Sequence, residues 1–303
     1  MDERLDILQG LVIDFNASLP PPIKGHKTVN VFAIPEYYFA KSRSEHFVDE
    51  DTKNTIAVRL QKISQIGPTL LVAGTIPWMK PMNKRRVSRA SSRLAKNNER
   101  SSVLRAHQES GDWGNVWYAE NTAFITYDGR IVHKYHKRNN GGEVNSADLA
   151  DRDVVWVPGI ESGEFKVEGL RFGVEICAEH AGGLMQRVVK RQLDVHIVIS
   201  AHMAIQPGAH GHAKLLGYLM HADATDPPTV HINASPWAEV GPDTSEMFSP
   251  LTNTQILNRL DNQDEYSQAS SVPMSESAQM KRLNDTLTVL NGRLNTYQLP
   301  YRA

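Results

Sequence analysis

Cys177 is the only cysteine among the 303 residues, and it stands where a strand pattern gives way to a helical one. Residues 172–176 alternate as a short buried strand, and residues 178–183 form a small, polar turn. A strand would hold the sulfur in place, and backbone N–H groups of the turn could hold an oxyanion or lower the thiol pKa. The pattern indicates a nucleophile, whereas the alternative is a buried thiol that packs as a small hydrophobe.

Glu36 and Lys137 also stand where apolar strands end. Glu36 follows the β-rich run 28–34 and Pro35, and Lys137 closes the run 130–137. Ligand sites in α/β folds lie beyond the carboxyl ends of strands, so these ends could converge with that of Cys177. A carboxylate could take the thiol proton, while an ammonium stabilises charge that develops during acyl transfer. Taken singly, such a glutamate often caps and such a lysine is often solvated.

The surrounding pattern predicts an α/β protein. Apolar positions at helical spacing predict helices over 2–15 and 51–66, and alternating or apolar runs predict strands over 28–34 and 70–73. The Asp128-Gly129 pair predicts a hairpin turn. Helices and hairpins both connect the strands, which favours two sheets flanked by helices. The remaining predicted elements are strands at 117–127, 130–137, 154–157, 165–167, 170–176, 195–200 and 229–234, and helices at 184–191 and 210–224.

Three blocks together resemble the carbon–nitrogen hydrolase (nitrilase) superfamily. They are residues 34–39 (IPEYYF), 129–137 (GRIVHKYHK) and 173–179 (GVEICAE), in the family's order and with the sole cysteine in the third block. The resemblance covers residues 28–236 and implies a four-layer αββα sandwich of two mixed sheets, usually paired into dimers or larger homo-oligomers. It also implies a Glu–Lys–Cys mechanism that uses no cofactor or metal.

The resemblance assigns a role to each matching position. Cys177 would form a thioester or thioimidate acyl-enzyme, Glu36 would be the general base, and Lys137 would stabilise the tetrahedral intermediate. Lys134 is a nearby competitor, but the family's lysine closes this block, which selects Lys137. The remaining predicted positions bind substrate or the oxyanion: Glu143, which would orient the lysine and substrate, the Ala178 backbone N–H, Glu179 and His202.

We expect a hydrolase-like domain over 1–240 and a divergent polar tail over 241–303, with an amphipathic helix at about 275–295. The chain begins at a helix where the family has a strand, and the family's final strands are not recognisable beyond Pro236. We therefore expect either that the usual first strand is lacking or that residues before Met1 have been lost, and that the usual last strands are lacking. The basic segment 80–106 carries nine lysines and arginines against one glutamate, which predicts a solvated, mobile insertion or a patch for an anionic ligand.

Composition sets further limits. The net charge of −1 makes no case for nucleic acid, a single cysteine favours a reducing, cytoplasmic compartment, and no apolar run has the length of a membrane span. The histidines, including the His210-Gly-His212 pair, allow a metal-dependent hydrolase as an alternative, but they lack a carboxylate partner at convincing spacing.

The resemblance therefore predicts hydrolysis of a small amide or nitrile, with release of ammonia or an amine and formation of a carboxylate. An amidase is favoured because Ala178 stands where nitrilases often have an aromatic residue. A catalytically silent binding or scaffold protein is the alternative from another class.

Overall fold

The computed structural model describes most of the first three quarters of the chain and short pieces beyond. The described residues are 1–19, 29–41, 45–145, 149, 151–204, 213–224, 229–232, 288–289 and 292–293.

The first sheet contains seven strands arranged around one long strand. Its elements, with the helices between them, are α1 (Asp2–Ser18), β1 (Asn30–Ile34), β2 (Val48–Asp49), α2 (Glu50–Ile63), β3 (Thr69–Ala73), β4 (Ile76–Pro81), α3 (Lys84–Lys96), α4 (Ser102–Ser110), β5 (Val116–Tyr127), β6 (Arg130–His136) and β7 (Asp153–Trp156). The order is β1-β3-β5-β4-β2, and β6 and β7 also pair with β5. The hairpin predicted at Asp128-Gly129 is present, with φ of 48° and 71° at its two residues.

The second sheet contains five strands in the order β12-β11-β10-β9-β8. Its elements are β8 (Glu164–Val167), β9 (Leu170–Ile176), α5 (Ala178–Ala181), α6 (Leu184–Val188), β10 (Leu193–Ser200), β11 (Ala213–Asp223) and β12 (Thr229–Ile232). Strands β9, β10 and β11 run parallel, and β8 and β12 are antiparallel to their neighbours. The sheet is therefore mixed.

Alternation along the strands explains how the layers stack. In β3, Leu71 and Ala73 belong to a cluster that includes the buried faces of α1 and α2, whereas Leu70 and Val72 belong to one shared with the second sheet. That shared cluster includes Val174 and other alternate residues of β9 and β10. The two sheets thus face each other, with α1 and α2 outside the first sheet and α5 and α6 outside the second. The predicted αββα sandwich is confirmed.

The structure corrects the helix predicted at 210–224, because Ala213–Asp223 is the strand β11. The run is apolar on both faces: Tyr218 packs between the sheets, while Leu219 packs on the outer face. A strand buried on both faces shows no clean alternation, so its sequence can be mistaken for a buried helix. Parallel pairing with β10 makes this run a strand and not a helix.

The basic segment 80–106 is folded largely into helices, and most of its lysine and arginine side chains are exposed. It contains the end of β4, all of α3 and the first part of α4, and it buries Ala90, Leu94 and Leu104. Arg93 is also buried, with ion pairs of 2.6 Å to Glu120 and 2.8 Å to Glu161. The sequence analysis did not predict α3, because a high density of charged residues obscures its narrow apolar face.

The expected tail lies almost entirely outside the described residues, as does the boundary predicted at residue 240. Within the predicted helix 275–295, β13 (Thr288–Val289) and β14 (Gly292–Arg293) instead form a two-stranded antiparallel ladder. β-Branched residues and an Asn-Gly step favour a hairpin at this point. Among the residues that can be described, no helix is long and apolar enough to cross a membrane.

Candidate active site

Cys177 occupies a strained turn between β9 and α5. Its backbone has φ 49° and ψ −115°, a conformation that is unfavourable for a residue with a side chain. The Cys177 N–H donates to the Ile199 carbonyl at 2.9 Å, which anchors the turn to β10. The thiol is partly exposed, and Sγ lies 3.9 Å from the Ala201 carbonyl oxygen. The fold thus presents a sulfur atom at the carboxyl edge of the second sheet.

Glu36 lies just beyond β1, and its backbone connects the two sheets. Its N–H donates to the Ser200 carbonyl at 3.3 Å, across to the end of β10. Gly74, just after β3, leaves room for the chain before Glu36: its φ is +61°, and a Cβ there would lie 2.2 Å from the Pro35 carbonyl oxygen. Glu36 is 2% exposed, so its carboxylate is held away from bulk water.

Lys137 follows β6 and is buried between two carboxylates. Its Nζ lies 2.7 Å from Glu36 Oε1 and 2.5 Å from Glu143 Oε1. The Lys137 N–H donates to the Asn121 carbonyl at 2.9 Å, which extends the β5–β6 ladder by one residue. Lys134 points to the other face of the sheet, with Nζ over the Phe124 ring, so alternation brings only Lys137 to Glu36.

Asn121 is a site residue that the sequence analysis missed. Its Nδ2 lies 3.2 Å from Glu36 Oε1 and 3.4 Å from Glu143 Oε1, so one amide holds both carboxylates. The other oxygen, Glu36 Oε2, is buried and has no hydrogen-bond partner among the described residues. The available signal was the polar run Glu120-Asn121-Thr122 inside an otherwise apolar strand.

Burial and charge shift the pKa values of these groups in different directions. Burial, reinforced by Glu143 and opposed by Lys137, raises the pKa of Glu36 to about 7. Burial and the Glu36 carboxylate raise the pKa of the Cys177 thiol to about 11, with Lys137 opposing. Burial disfavours the Lys137 ammonium, but Glu36 and Glu143 outweigh burial and raise its pKa above the ordinary value. The resting site therefore holds a neutral thiol beside a carboxyl group that titrates near neutrality.

The structure brings together Glu36, Lys137, Glu143 and Cys177, four of the residues singled out from the sequence. Glu143 lies in a short 3-10 turn, Glu143–Asn145, that brings it back to the lysine. Ala178 opens α5 directly after the thiol, so its N–H belongs to the first turn of that helix.

Glu179 does not face a substrate. It is fully buried, and its carboxylate accepts hydrogen bonds from the Tyr135 hydroxyl at 2.9 Å, from the Ile176 N–H at 3.0 Å and from the Arg138 N–H. These bonds connect the loop after Lys137 to the strand end before Cys177. We therefore replace the predicted substrate contact of Glu179 with a positioning role.

The structure also gives the positions of two histidines near these strand ends, and the substrate-binding role of His202 stays a prediction. His202 does follow β10, but its side chain is exposed and its backbone N–H donates to Asp223 at 3.3 Å. His180 is fully buried, and its Nδ1 lies 3.0 Å from Glu175 Oε2. His210 and His212 lie outside the described residues.

No family model matches this chain, and no curated protein matches it. Among solved structures, it is similar to Nit3 of Saccharomyces cerevisiae, a member of branch 10 of the nitrilase superfamily, with 15% identity, 76% of each chain covered and a TM-score of 0.43. It is also similar to two variants of the amidase from Nesterenkonia sp. AN1, a nitrilase-superfamily protein. One carries the acetamide moiety of fluoroacetamide on its active-site cysteine (13% identity, 76% of each chain covered, TM-score 0.47). The other covers 88% of this chain and 90% of its own, with 14% identity and a TM-score of 0.46.

Because identity is this low, residue roles have to come from the geometry of the site.

Proposed function

We propose that this protein hydrolyses a carbon–nitrogen bond of a small amide or nitrile through a Cys177 acyl-enzyme. The observation that supports this most strongly is the buried Lys137–Glu36 contact of 2.7 Å beside a thiol whose pKa depends on both groups. A structural thiol needs neither a base that titrates near pH 7 nor a shared ammonium. The domain expected over 1–240 would be the catalytic unit.

In the acylation step, Glu36 takes the thiol proton as the sulfur attacks the amide carbon. A pKa of about 7 suits this role, because the carboxylate is substantially ionised at neutral pH and can return the proton. The C–S bond forms, and the carbonyl π pair moves onto oxygen. Lys137 and the Ala178 N–H stabilise that oxyanion. The proton passes from Glu36 to the nitrogen as the C–N bond breaks, so ammonia or an amine leaves and a thioester remains.

In the deacylation step, Glu36 acts on water. The carboxylate takes a proton from the attacking water, a C–O bond forms, and the C–S bond then breaks. Glu36 returns the proton to the leaving sulfur, which restores the thiol and releases a carboxylic acid that ionises in solution. For a nitrile, the first adduct is a thioimidate. It takes up one water with loss of ammonia to give the same thioester.

The test is ammonia release from a panel of small amides and nitriles, with wild type beside Cys177→Ala. The panel includes butyramide and acrylamide, the amides in complexes of the Nesterenkonia amidase variants. We expect release by wild type that falls to background in the variant. Release that survives in Cys177→Ala would exclude Cys177 as the nucleophile. If neither protein releases ammonia and iodoacetamide does not alkylate the wild-type thiol, the result would favour the alternative of a catalytically silent binding protein.

We extend the proposal to the setting of the enzyme. The single cysteine supports a cytoplasmic protein that works without disulfides, and we propose a homo-oligomer, a dimer or larger, with no nucleic-acid or membrane partner. Light scattering after gel filtration tests the assembly, and a mass of one 33.9 kDa chain would exclude it.

A further inference from the structure

Three buried side chains meet on the outer face of the second sheet, away from the core between the sheets. Glu175 comes from β9, His196 from β10 and His180 from α5, and each side chain is at most 1% exposed. None of them takes part in the proposed hydrolysis. Fully buried ionisable groups are costly unless they are paired or coordinate a metal.

The Glu175 carboxylate is the centre of this cluster. Its Oε2 lies 3.0 Å from His180 Nδ1 and 2.9 Å from His196 Nε2. Its Oε1 accepts the backbone N–H of Met185 in α6. The cluster therefore joins two strands and both short helices at one carboxylate.

The imidazoles present one nitrogen each to the same carboxylate oxygen. His196 does so through Nε2, and its other ring nitrogen, Nδ1, is buried and has no hydrogen-bond partner among the described residues. Neutral imidazoles would also leave the negative charge of Glu175 balanced by hydrogen bonds only, which is costly in a dry environment.

We propose that Glu175, His180 and His196 bind one divalent metal ion of the zinc class. Carboxylate oxygen and imidazole nitrogen are the ligand types that Zn²⁺ takes in proteins. The three ligand atoms lie within 4.8 Å of one another. Bonds of about 2.0–2.2 Å in tetrahedral geometry separate ligand atoms by about 3.4 Å. Each of the two oxygen–nitrogen distances is therefore within about half an ångström of this separation.

The position of the cluster indicates a structural role for the ion. His180 lies three residues after Cys177 on the same turn, and Glu175 lies two residues before it. A metal bound there fastens the nucleophile's turn to the outer face of the sheet and takes no part in bond breaking. This differs from the sequence-based expectation of no metal, because pairing of β9 with β10 brings Glu175 beside His196.

The experiment measures metal binding directly and does not depend on hydrolase activity. Full-length protein is stripped with a chelator and titrated with Co²⁺, whose visible d–d absorption reports nitrogen and oxygen ligands, and then with Zn²⁺ in competition. We expect one equivalent to bind, and Zn²⁺ to raise the Tm of the stripped protein. Glu175→Gln and His196→Asn each lower the affinity by at least about 100-fold.

Matched controls separate this cluster from the other histidines. His202→Ala removes an exposed histidine, and the double variant His210→Ala/His212→Ala removes the pair first considered from the sequence; both retain the site. The inference is overturned if the folded wild-type protein binds no Co²⁺, because the three side chains would then form only a hydrogen-bonded cluster. It is also overturned if Co²⁺ binding survives in Glu175→Gln and His196→Asn. It is equally overturned if only the 210/212 double variant loses binding. Circular dichroism of the metal-free variants checks that each is folded. If Glu175→Gln does not fold, Co²⁺ binding by His196→Asn alone tests the proposed site.

Discussion

Two buried glutamates, Glu36 and Glu175, show how the same side chain can be given opposite properties. Burial, with help from Glu143 and opposition from Lys137, raises the pKa of Glu36 to about 7. Burial also acts on Glu175, but hydrogen bonds from its two histidine neighbours outweigh it and lower the pKa to about 2. One carboxyl group can exchange a proton near neutral pH, while the other stays ionised.

The difference comes from how each carboxylate shares its donors. Lys137 is divided between Glu36 and Glu143, and Asn121 donates toward both as well. Glu175, in contrast, receives two imidazoles and a backbone N–H for itself. Shared donors leave a buried carboxylate able to accept a proton, and dedicated donors hold the charge in place.

The largest effect should follow from Glu36→Gln. The substitution keeps the shape but removes the proton acceptor, so we expect kcat/KM for ammonia release to fall about 10³-fold. Steady-state kinetics on the best substrate of the panel measures this effect. A fall of less than tenfold would exclude Glu36 as the base.

The same variant separates a base from a simple electrostatic neighbour. The Glu36 charge raises the pKa of the Cys177 thiol, so electrostatics alone predicts faster alkylation in Glu36→Gln. A general base that takes the thiol proton predicts slower alkylation, and this is the result we expect with iodoacetamide at pH 7. Glu143→Gln is the control that removes a nearby charge and keeps the base.

Lys137→Met should have the next largest effect. Without an ammonium to stabilise the oxyanion, kcat should fall about 10²-fold. Because Lys137 opposes the rise in the Glu36 pKa, the acid limb of the pH profile should also move to higher pH. Lys134→Met, on the other face of the same strand, is the matched control and should change neither quantity. Equal losses in the two variants would contradict the assignment of Lys137.

A smaller effect is expected from Glu143→Gln. The Glu36 pKa is raised, so activity that needs its carboxylate is lost as the pH falls through about 7. Glu143 contributes to that rise, and its neutral analogue should move the acid limb of kcat/KM to lower pH by up to about one unit. A shift to higher pH would show that Glu143 acts mainly by orienting Lys137.

The smallest effect should come from Glu175→Gln. If Glu175 and Glu36 belong to independent sites, the midpoint of the acid limb of the kcat/KM profile stays at the wild-type pH, even if kcat/KM itself falls. The pH profile is compared with that of Glu143→Gln under the same conditions. A midpoint that moves as far as in Glu143→Gln would show that the two carboxylates are coupled.

The sequence alone was sufficient to place Glu36, Lys137 and Cys177 at the ends of apolar strands. In the structure, β1, β6 and β9 end at Ile34, His136 and Ile176, next to or near these residues. Period-two alternation stops where a strand stops, so strand ends can be read locally. The layer order followed from the mixture of hairpins and helices, together with the family resemblance.

Only the tertiary structure determined which of these groups meet, because their contacts join residues far apart in the chain. Asn121 Nδ2 reaches a residue 85 positions away, and no local pattern records that distance. Glu179 lies two residues after Cys177 in sequence, yet its carboxylate accepts hydrogen bonds from the Tyr135 hydroxyl and the Arg138 N–H, which are more than 40 residues away in the chain. The strand β11 and the buried face of α3 were likewise decided by their neighbours, since local propensity is weaker than long-range burial. Side-chain types can be read from the chain, whereas burial and sharing of partners, which set their pKa values, arise only when the sheets pack.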